Sequence, residues 1–154
     1  MNITSGTILK ASSLMDDEHF KKAIVLVTEY NEKGAMGFII NQQFPRPLNA
    51  LVEFSSSPAF PLFNGGPVDH EHLYFIHRRS DLIDEGQLIG NTIYLGGNFK
   101  QAVAAINDGV LTEEDIKIFV GYCGWDSGDL EAEMLDGYWE CLDDSINLFT
   151  TPRV

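Results

Sequence analysis

The side chains best suited to chemistry in this chain are its four histidines, two of which lie close together. Residues 69–72 read Asp-His-Glu-His, so His70 and His72 would project from one face of an extended segment, as two zinc ligands at i and i+2 do. A third ligand would have to come from elsewhere, and His77 is the candidate. The alternative, which we favour, is that residues 69–72 are solvated turn residues and that His77 is structural. We therefore expect no metal and no cofactor.

The nucleophilic side chains lack the neighbours that would activate them. Ser127 lies one place too late for the G-x-S-x-G nucleophile elbow, which also needs a histidine and an acid in context. Cys123 and Cys141 have no basic residue close in sequence, so inert core thiols are expected. Residues 95–98 could hold an anion at a helix N-terminus, but simple capping by Asn98 explains the same pattern. No residue is predicted to be catalytic.

Residues 121–134 form a glycine-punctuated segment with the sequence GYCGWDSGDLEAEM. It is typical of the end of a buried strand, then a turn that carries Trp125, then an acidic helix. Trp125 could line a pocket in which Glu131 or Glu133 supplies a carboxylate. Glutamates two positions apart do not share a helix face, however, so they form no obvious acid–base pair. The alternative, which we favour, is that Trp125 packs a corner of the core while the acids stabilise the positive end of the helix dipole.

The net charge of −13 is unevenly distributed along the 154 residues. Residues 1–100 hold 11 acids and 8 bases, whereas residues 101–154 hold 12 acids and 2 bases. Nucleic-acid affinity depends on Lys and Arg displacing counterions, so this charge argues against direct DNA binding. No apolar run approaches the ~18 residues that span a membrane. The first residues lack the basic and apolar regions of a signal peptide, so a cytoplasmic location is expected.

Hydrophobic patterning predicts more strands than helices, without one-for-one alternation. This pattern indicates an α+β fold with a mixed or antiparallel sheet, built as a single domain over residues 1–154. The clearest local prediction is an antiparallel hairpin of residues 23–30 and 35–41. Residues 48–54 resemble a short amphipathic helix. Further strands are predicted at 6–12, 73–77, 92–95, 116–122 and 139–142, a strand end with a tight turn at 62–68, and helices at 99–107 and 129–135.

Three spaced motifs resemble the bacterial AlgH/YqgE family over residues 6–149. They are residues 34–41 (GAMGFIIN), residues 65–68 (GGPV), and residues 121–125 (GYCGW) with Gly128, Leu130, Glu131 and Glu133. The resemblance implies a compact α+β domain whose bifurcated sheet contains a small closed barrel flanked by helices. The label of transcriptional regulator carried by one branch implies an effect on expression, not a demonstrated DNA-binding surface. This chain departs from the pattern at Asp129, where Gln is usual, and at residues 126–127, where a small residue and Pro are common.

Three hypotheses for function follow. The first is a non-enzymatic cytosolic domain that binds a protein or small-molecule partner, because no catalytic constellation is complete and the acids are concentrated in the last third. The second is an enzyme whose pocket is lined by residues of the family motifs at presumed strand ends and turns: Asn41, Gly66, His77, Trp125 and Glu131. It requires those five residues to converge in the fold. The third, direct transcriptional regulation, is the weakest because of the charge.

Overall fold

The computed structural model describes residues 2–143 and 146–154, and nine strands and two α-helices lie within these ranges. The strands are β1 (Ile8–Ala11), β2 (Ile24–Asn31), β3 (Gly34–Ile39), β4 (Leu62–Asn64), β5 (Val68–His77), β6 (Gln87–Ile89), β7 (Ile93–Leu95), β8 (Ile116–Asp126) and β9 (Trp139–Leu142). The helices are α1 (Phe99–Asn107) and α2 (Asp129–Leu135). No helix among the described residues is both long and apolar enough to cross a membrane.

The strands form one curled, mostly antiparallel sheet in the order β6-β7-β5-β8-β3-β2-β1-β9. Strand β4 pairs with β8 in parallel outside this path. The α+β class with a mixed or antiparallel sheet is thereby confirmed, and the sheet has the form of a half-barrel. The bifurcated arrangement and the small closed barrel implied by the family resemblance stay predictions.

Alternation of side chains along the strands creates three apolar clusters. The first lies beneath α2 and includes Leu9, Val25, Ile39, Trp125 and Leu130. The second lies beneath α1 and includes Phe75, Ala102, Ile106, Ile118 and Val120. The third, on the opposite face of the sheet, includes Ile8, Leu26, Phe38, Phe119, Leu148 and Phe149. Its last two members belong to residues 146–154, here called the C-terminal strap, which packs against this face.

Strand β8 is the longest strand and joins the two halves of the sheet, pairing with β4 and β5 in its first half and with β3 in its second. Between them lies Gly121, whose φ is +76°. A Cβ atom there would lie 2.6 Å from the carbonyl oxygen of Gly66, so only glycine fits this crossing of the two backbones.

The two helices have the predicted bounds, and Asn98 caps α1 by accepting a hydrogen bond from the backbone of Gln101 at 3.1 Å. The predicted helix at 48–54 is wrong. Residues Leu48–Ala50 and Val52–Phe54 form two 3₁₀ turns because Leu51 between them is extended, with φ −84° and ψ 134°.

Two strands extend further than predicted. Strand β5 begins at Val68, so the interpretation of residues 69–72 as a turn is wrong: they lie in the strand, at a break in register between Val68 and Leu73. Strand β8 continues to Asp126, and Trp125 therefore pairs with Ala35 of β3 instead of occupying a turn. In both places, pairing with a neighbouring strand extends the strand beyond the end that the local sequence predicts.

Candidate functional site

The five residues predicted to line one pocket lie in different parts of the fold. His77, at the end of β5, is fully buried and stacked between the rings of Phe75 and Tyr94. Its Nδ1 accepts a hydrogen bond from the backbone of Arg79 at 3.1 Å, so Nε2 carries the proton and donates to the carbonyl of Gly96 at 3.1 Å. Burial lowers the pKa of His77, which keeps the ring neutral. Both nitrogens are occupied.

Trp125, Glu131 and Glu133 fasten α2 to the sheet. The indole nitrogens of Trp125 and Trp139 donate to the same oxygen of Glu133, at 3.2 and 2.9 Å. Glu131 accepts a hydrogen bond from the hydroxyl of Tyr30 at 2.6 Å, which lowers the pKa of its carboxyl. These contacts give the acids structural partners and support the packing interpretation of this segment.

Gly66 has a packing reason to be glycine. It has φ +154°, and a Cβ atom there would lie 2.2 Å from the carbonyl carbon of Tyr122 on β8. A side chain at this position would therefore push the turn before β5 away from β8.

The histidines of residues 69–72 bind separate partners instead of converging. Nδ1 of His72 lies 2.9 Å from the carboxylate of Asp69, and Nε2 of His70 lies 2.6 Å from the carbonyl oxygen of Gly66. The hydroxyl of Tyr74 also donates to Asp69, and these bonds lower the pKa of its carboxyl. Across the described ranges, no group of three or more His, Cys, Asp or Glu is arranged to hold a metal.

Asn41 is the predicted residue that borders a substantial cleft. Its side chain is buried and clamps the start of β2: Oδ1 accepts from the backbone of Ile24 at 2.9 Å, and Nδ2 donates to the carbonyl of Lys22 at 3.0 Å. Lys22 has φ 62°, a left-handed conformation that is strained for a residue with a side chain. The amide of Asn41 thus holds a strained lysine beside the cleft.

This cleft has a volume of about 520 Å³ and is here called the lysine cleft. Lys10 of β1 and the adjacent pair Lys21 and Lys22 before β2 contribute its cations. Ser12, Ser13 and Thr151 add hydroxyl groups to its lining. Its apolar lining comes from Ala11, Met15, Ile24, Ile146, Pro152 and Val154, the last three from the C-terminal strap.

The charged side chains that line the lysine cleft are basic, whereas the chain as a whole has a net negative charge. Three of the chain's ten basic residues line it, and none of the described lining side chains is acidic. None of the ion pairs within 4 Å in the described part of the chain involves Lys10, Lys21 or Lys22. Glu140 is the acid opposite Lys10 on β9, at the edge of this region. The three lysines therefore give the cleft an excess of basic over acidic side chains in a strongly acidic protein.

The C-terminal strap is fixed from beneath by Lys117, which is 2% exposed. Its Nζ donates to the carbonyls of Ile40 and Leu148, at 2.8 and 2.7 Å, and lies 4.3 Å from the centre of the Phe63 ring. Burial, together with the charge of nearby Arg153, lowers the pKa of Lys117 to about 7. Sequence reasoning missed this residue, although a lysine alternating with Ile116 and Ile118 in a buried strand is a readable signal.

A larger cleft of about 760 Å³ is also lined by the strap, but its cation, Arg78, is already paired. Nε of Arg78 donates to Asp115 at 3.1 Å, and the guanidinium carbon lies 5.1 Å from the centre of the Phe149 ring. Because Arg78 has these partners, the lysine cleft is the better candidate for binding a charged ligand.

Sequence reasoning also missed the lysine cleft as a whole, although it had selected Asn41. Lys10 is separated from Lys21 and Lys22 by more than ten positions, and they approach because Lys10 pairs with Ile24 across β1 and β2. Most of the basic residues lie in residues 1–100. Together with the register of β1 against β2, this distribution would have indicated the cleft.

Comparison with known proteins agrees with the resemblance read from the motifs. A family model described as "DUF179: AlgH-like" matches residues 8–153. A UPF0301 protein from Chlorobium luteolum is 35% identical over 141 residues, which cover 92% of this chain and 75% of the relative. A UPF0301 protein from Chlorobium limicola is 36% identical over 138 residues, covering 90% and 74%.

Two solved structures share the fold. The solution structure of the AlgH protein from Pseudomonas aeruginosa is similar with a TM-score of 0.74 and 28% identity, covering 97% of this chain and 82% of that protein. A crystal structure of a protein from Corynebacterium diphtheriae has a TM-score of 0.76 at 17% identity, covering 97% and 85%. At that lower identity the likeness shows the fold alone.

Proposed function

The chain belongs to the AlgH-like family, and from that premise we propose that it is a non-enzymatic cytoplasmic binding domain whose ligand is a small anion held in the lysine cleft. The proposal takes residues 1–154 as one domain, with the bifurcated sheet and its small barrel-like element as the scaffold. The observation that carries it is that Lys10, Lys21 and Lys22 line one cleft and form no ion pair within 4 Å among the described residues, in a chain of net charge −13.

Lysines that line one cleft give it positive charge, and a bound anion neutralises that charge. Lysine serves as a point charge for phosphate and carboxylate groups, and charge-assisted hydrogen bonds are roughly twice as strong as neutral ones. The volume of about 520 Å³ falls in the range of roughly 300–1,000 Å³ that is usual for small-molecule sites. Size and charge therefore favour a small acidic ligand.

The groups lining the cleft support binding in preference to catalysis. The hydroxyl of Ser12 donates to the carbonyl of Gly137 at 2.6 Å and accepts from the backbone of Leu14 at 3.2 Å. The amide of Asn41 is bonded at both ends. The alternative of an enzyme near Trp125 and His77 has less support, because the hydrogen-bonding groups of both side chains are occupied.

The same charge distribution argues against direct DNA binding, the weakest of the three hypotheses. Three lysines in one cleft cannot follow a phosphate backbone across a surface of net charge −13. An effect on gene expression would instead pass through a ligand or a protein partner.

Thermal unfolding in added salts tests the proposal. A ligand that binds only the folded state raises the apparent stability, by about 2.7 kcal/mol at a hundredfold excess over its Kd. We expect phosphate to raise the Tm above the value in chloride of equal ionic strength. The increment should disappear in Lys10→Gln/Lys21→Gln and persist in Lys33→Gln/Lys100→Gln, which removes the same charge elsewhere. Equal increments in both double variants would contradict the proposal.

A further inference from the structure

The lysine cleft has one charged side and one apolar side, and we infer that its ligand is a small phosphate monoester that carries an apolar group. This inference rests on the proposed function and specifies the ligand of the same site. The phosphate contacts Lys10, Lys21 and Lys22, and the apolar group lies against the apolar side chains of the C-terminal strap.

The charged side favours a doubly charged head group. A phosphate monoester carries about −1.5 to −2 charges at pH 7 and three strong acceptor oxygens, whereas a carboxylate carries one charge and two oxygens. Three lysines line the cleft, none of its described lining side chains is acidic, and Glu140 lies opposite Lys10 at its edge. The dianion therefore matches the charge of the site better than a carboxylate does.

The apolar side of the lysine cleft is partly exposed to solvent. Met15 and Ala11 form a buried floor, whereas Val154 is 64% exposed beside the cleft. An inorganic phosphate ion would leave this apolar surface in water. A ligand group that removes roughly 60 Å² of apolar surface from water should tighten binding about ten-fold at ~25 cal/mol per Å².

The wall formed by the strap is held in place without a ligand. The backbone of Val154 donates to the carbonyl of Asn41 at 2.9 Å, and the hydroxyl of Thr151 donates to the carbonyl of Asn147 at 2.6 Å. Further along the strap, Lys117 binds the carbonyl of Leu148. Because the wall is already ordered, binding carries no entropic cost for ordering it. This favours a compact apolar group.

The surroundings of the cleft favour a small molecule over a phosphorylated chain. Asp16, Asp17 and Glu18 precede the Lys21–Lys22 pair, and Glu140 is the neighbour of Lys10 on β9. A polymer that extended past the cleft would meet these carboxylates, whereas a compact phosphate ester stays inside.

Isothermal titration calorimetry with three probes tests the inference: inorganic phosphate, phenyl phosphate and benzoate. Phenyl phosphate should bind about ten-fold more tightly than inorganic phosphate, and more tightly than benzoate. Val154→Ser should reduce the advantage of phenyl phosphate while leaving inorganic phosphate unchanged. Val52→Ser, at a valine that is 91% exposed outside the cleft, is the matched control and should change neither.

The possible failures are distinguishable. If inorganic phosphate binds and phenyl phosphate binds no better, the apolar part of the inference is overturned and the proposed function stands. If benzoate binds as tightly as phenyl phosphate, the preference for a dianion is overturned. If none of the three probes binds, the proposed function fails together with the inference.

Discussion

The side-chain amide of Asn41 donates to the carbonyl oxygen of Lys22 at 3.0 Å and so holds Lys22 in a left-handed backbone conformation, φ 62°. The same amide accepts from the backbone of Ile24 at 2.9 Å. One buried polar side chain thus shapes the turn that carries two of the three cleft lysines. Strain maintained by a buried hydrogen-bonding group is common at binding sites, where the surrounding structure stabilises a conformation that the chain alone disfavours.

Replacing Asn41 with Ala should lower the free energy of unfolding by about 2 kcal/mol, because the backbone groups of Lys22 and Ile24 lose their partners. Urea denaturation measures this loss. Asn91→Ala, in the exposed turn between β6 and β7, is the control and should cost much less. A loss below about 0.5 kcal/mol for Asn41→Ala would show that the clamp is not needed.

Two substitutions of Lys22 separate the effect of its backbone strain from the effect of its charge. Glycine adopts a positive φ without steric cost, whereas alanine keeps the strain, so Lys22→Gly should be more stable than Lys22→Ala by about 1 kcal/mol. Both variants should bind phosphate equally weakly, since both lack the ammonium group. Equal Tm values for the two variants would contradict the left-handed conformation.

Lys117 should make stability depend on pH. Its pKa is lowered from 10.5 to about 7 in the folded chain, so between about pH 7 and 10.5 the unfolded chain binds a proton that the folded chain lacks. The free energy of unfolding should therefore rise with pH in this window, by up to about 1.4 kcal/mol per pH unit, whereas below about pH 7 the penalty is fully present. Arg153 and Glu113 are the charged neighbours that act on the amine.

Comparison with Lys117→Met isolates this effect. Urea unfolding at pH 6, 7.5 and 9 should show wild-type stability rising relative to Lys117→Met between the last two values. Lys100→Met, at an exposed lysine of α1, should follow the wild-type profile. Parallel profiles for the wild type and Lys117→Met would refute the lowered pKa.

The shared acceptor of the two tryptophans predicts a contrast between two substitutions of Glu133. Glu133→Leu leaves the indole N–H groups of Trp125 and Trp139 without their acceptor and should cost on the order of 2–4 kcal/mol. Glu133→Gln keeps an oxygen that can accept both bonds and should cost less than half as much. Chemical denaturation followed by tryptophan fluorescence measures both variants. Similar losses would show that the carboxylate charge matters more than the hydrogen bonds.

The parts of the fold that follow from local physics could be read from the sequence. Helix α1 was predicted with its bounds because Asn98 is a strong N-cap and the apolar residues recur at helical spacing. The β2–β3 hairpin followed from two apolar runs around a short turn. The extra length of β5 and β8 could not be read, because it depends on pairing with strands distant in the chain.

The candidate site was predictable only in part, for the same reason. Asn41 was selected from a family motif, but its partners at Lys22 and Ile24 are set by tertiary contacts. The cleft depends on the register of β1 against β2 and on the strap returning to pack against the sheet. Neither relationship has a local sequence signal, whereas the solvent-facing lysines themselves are visible as ordinary charges.

The most direct test of the central claim is calorimetric titration of phenyl phosphate at low ionic strength into three proteins: the wild type, Lys10→Gln/Lys21→Gln, and Lys33→Gln/Lys100→Gln. Low salt limits the screening of exposed charges. We predict saturable binding at one site in the wild type, the same affinity in the second double variant, and at least about a ten-fold loss in the first, since each charge-assisted bond contributes about 1.5–3 kcal/mol. Equal affinity in all three proteins, or no saturable binding in the wild type, would contradict the assignment of the lysine cleft as the binding site.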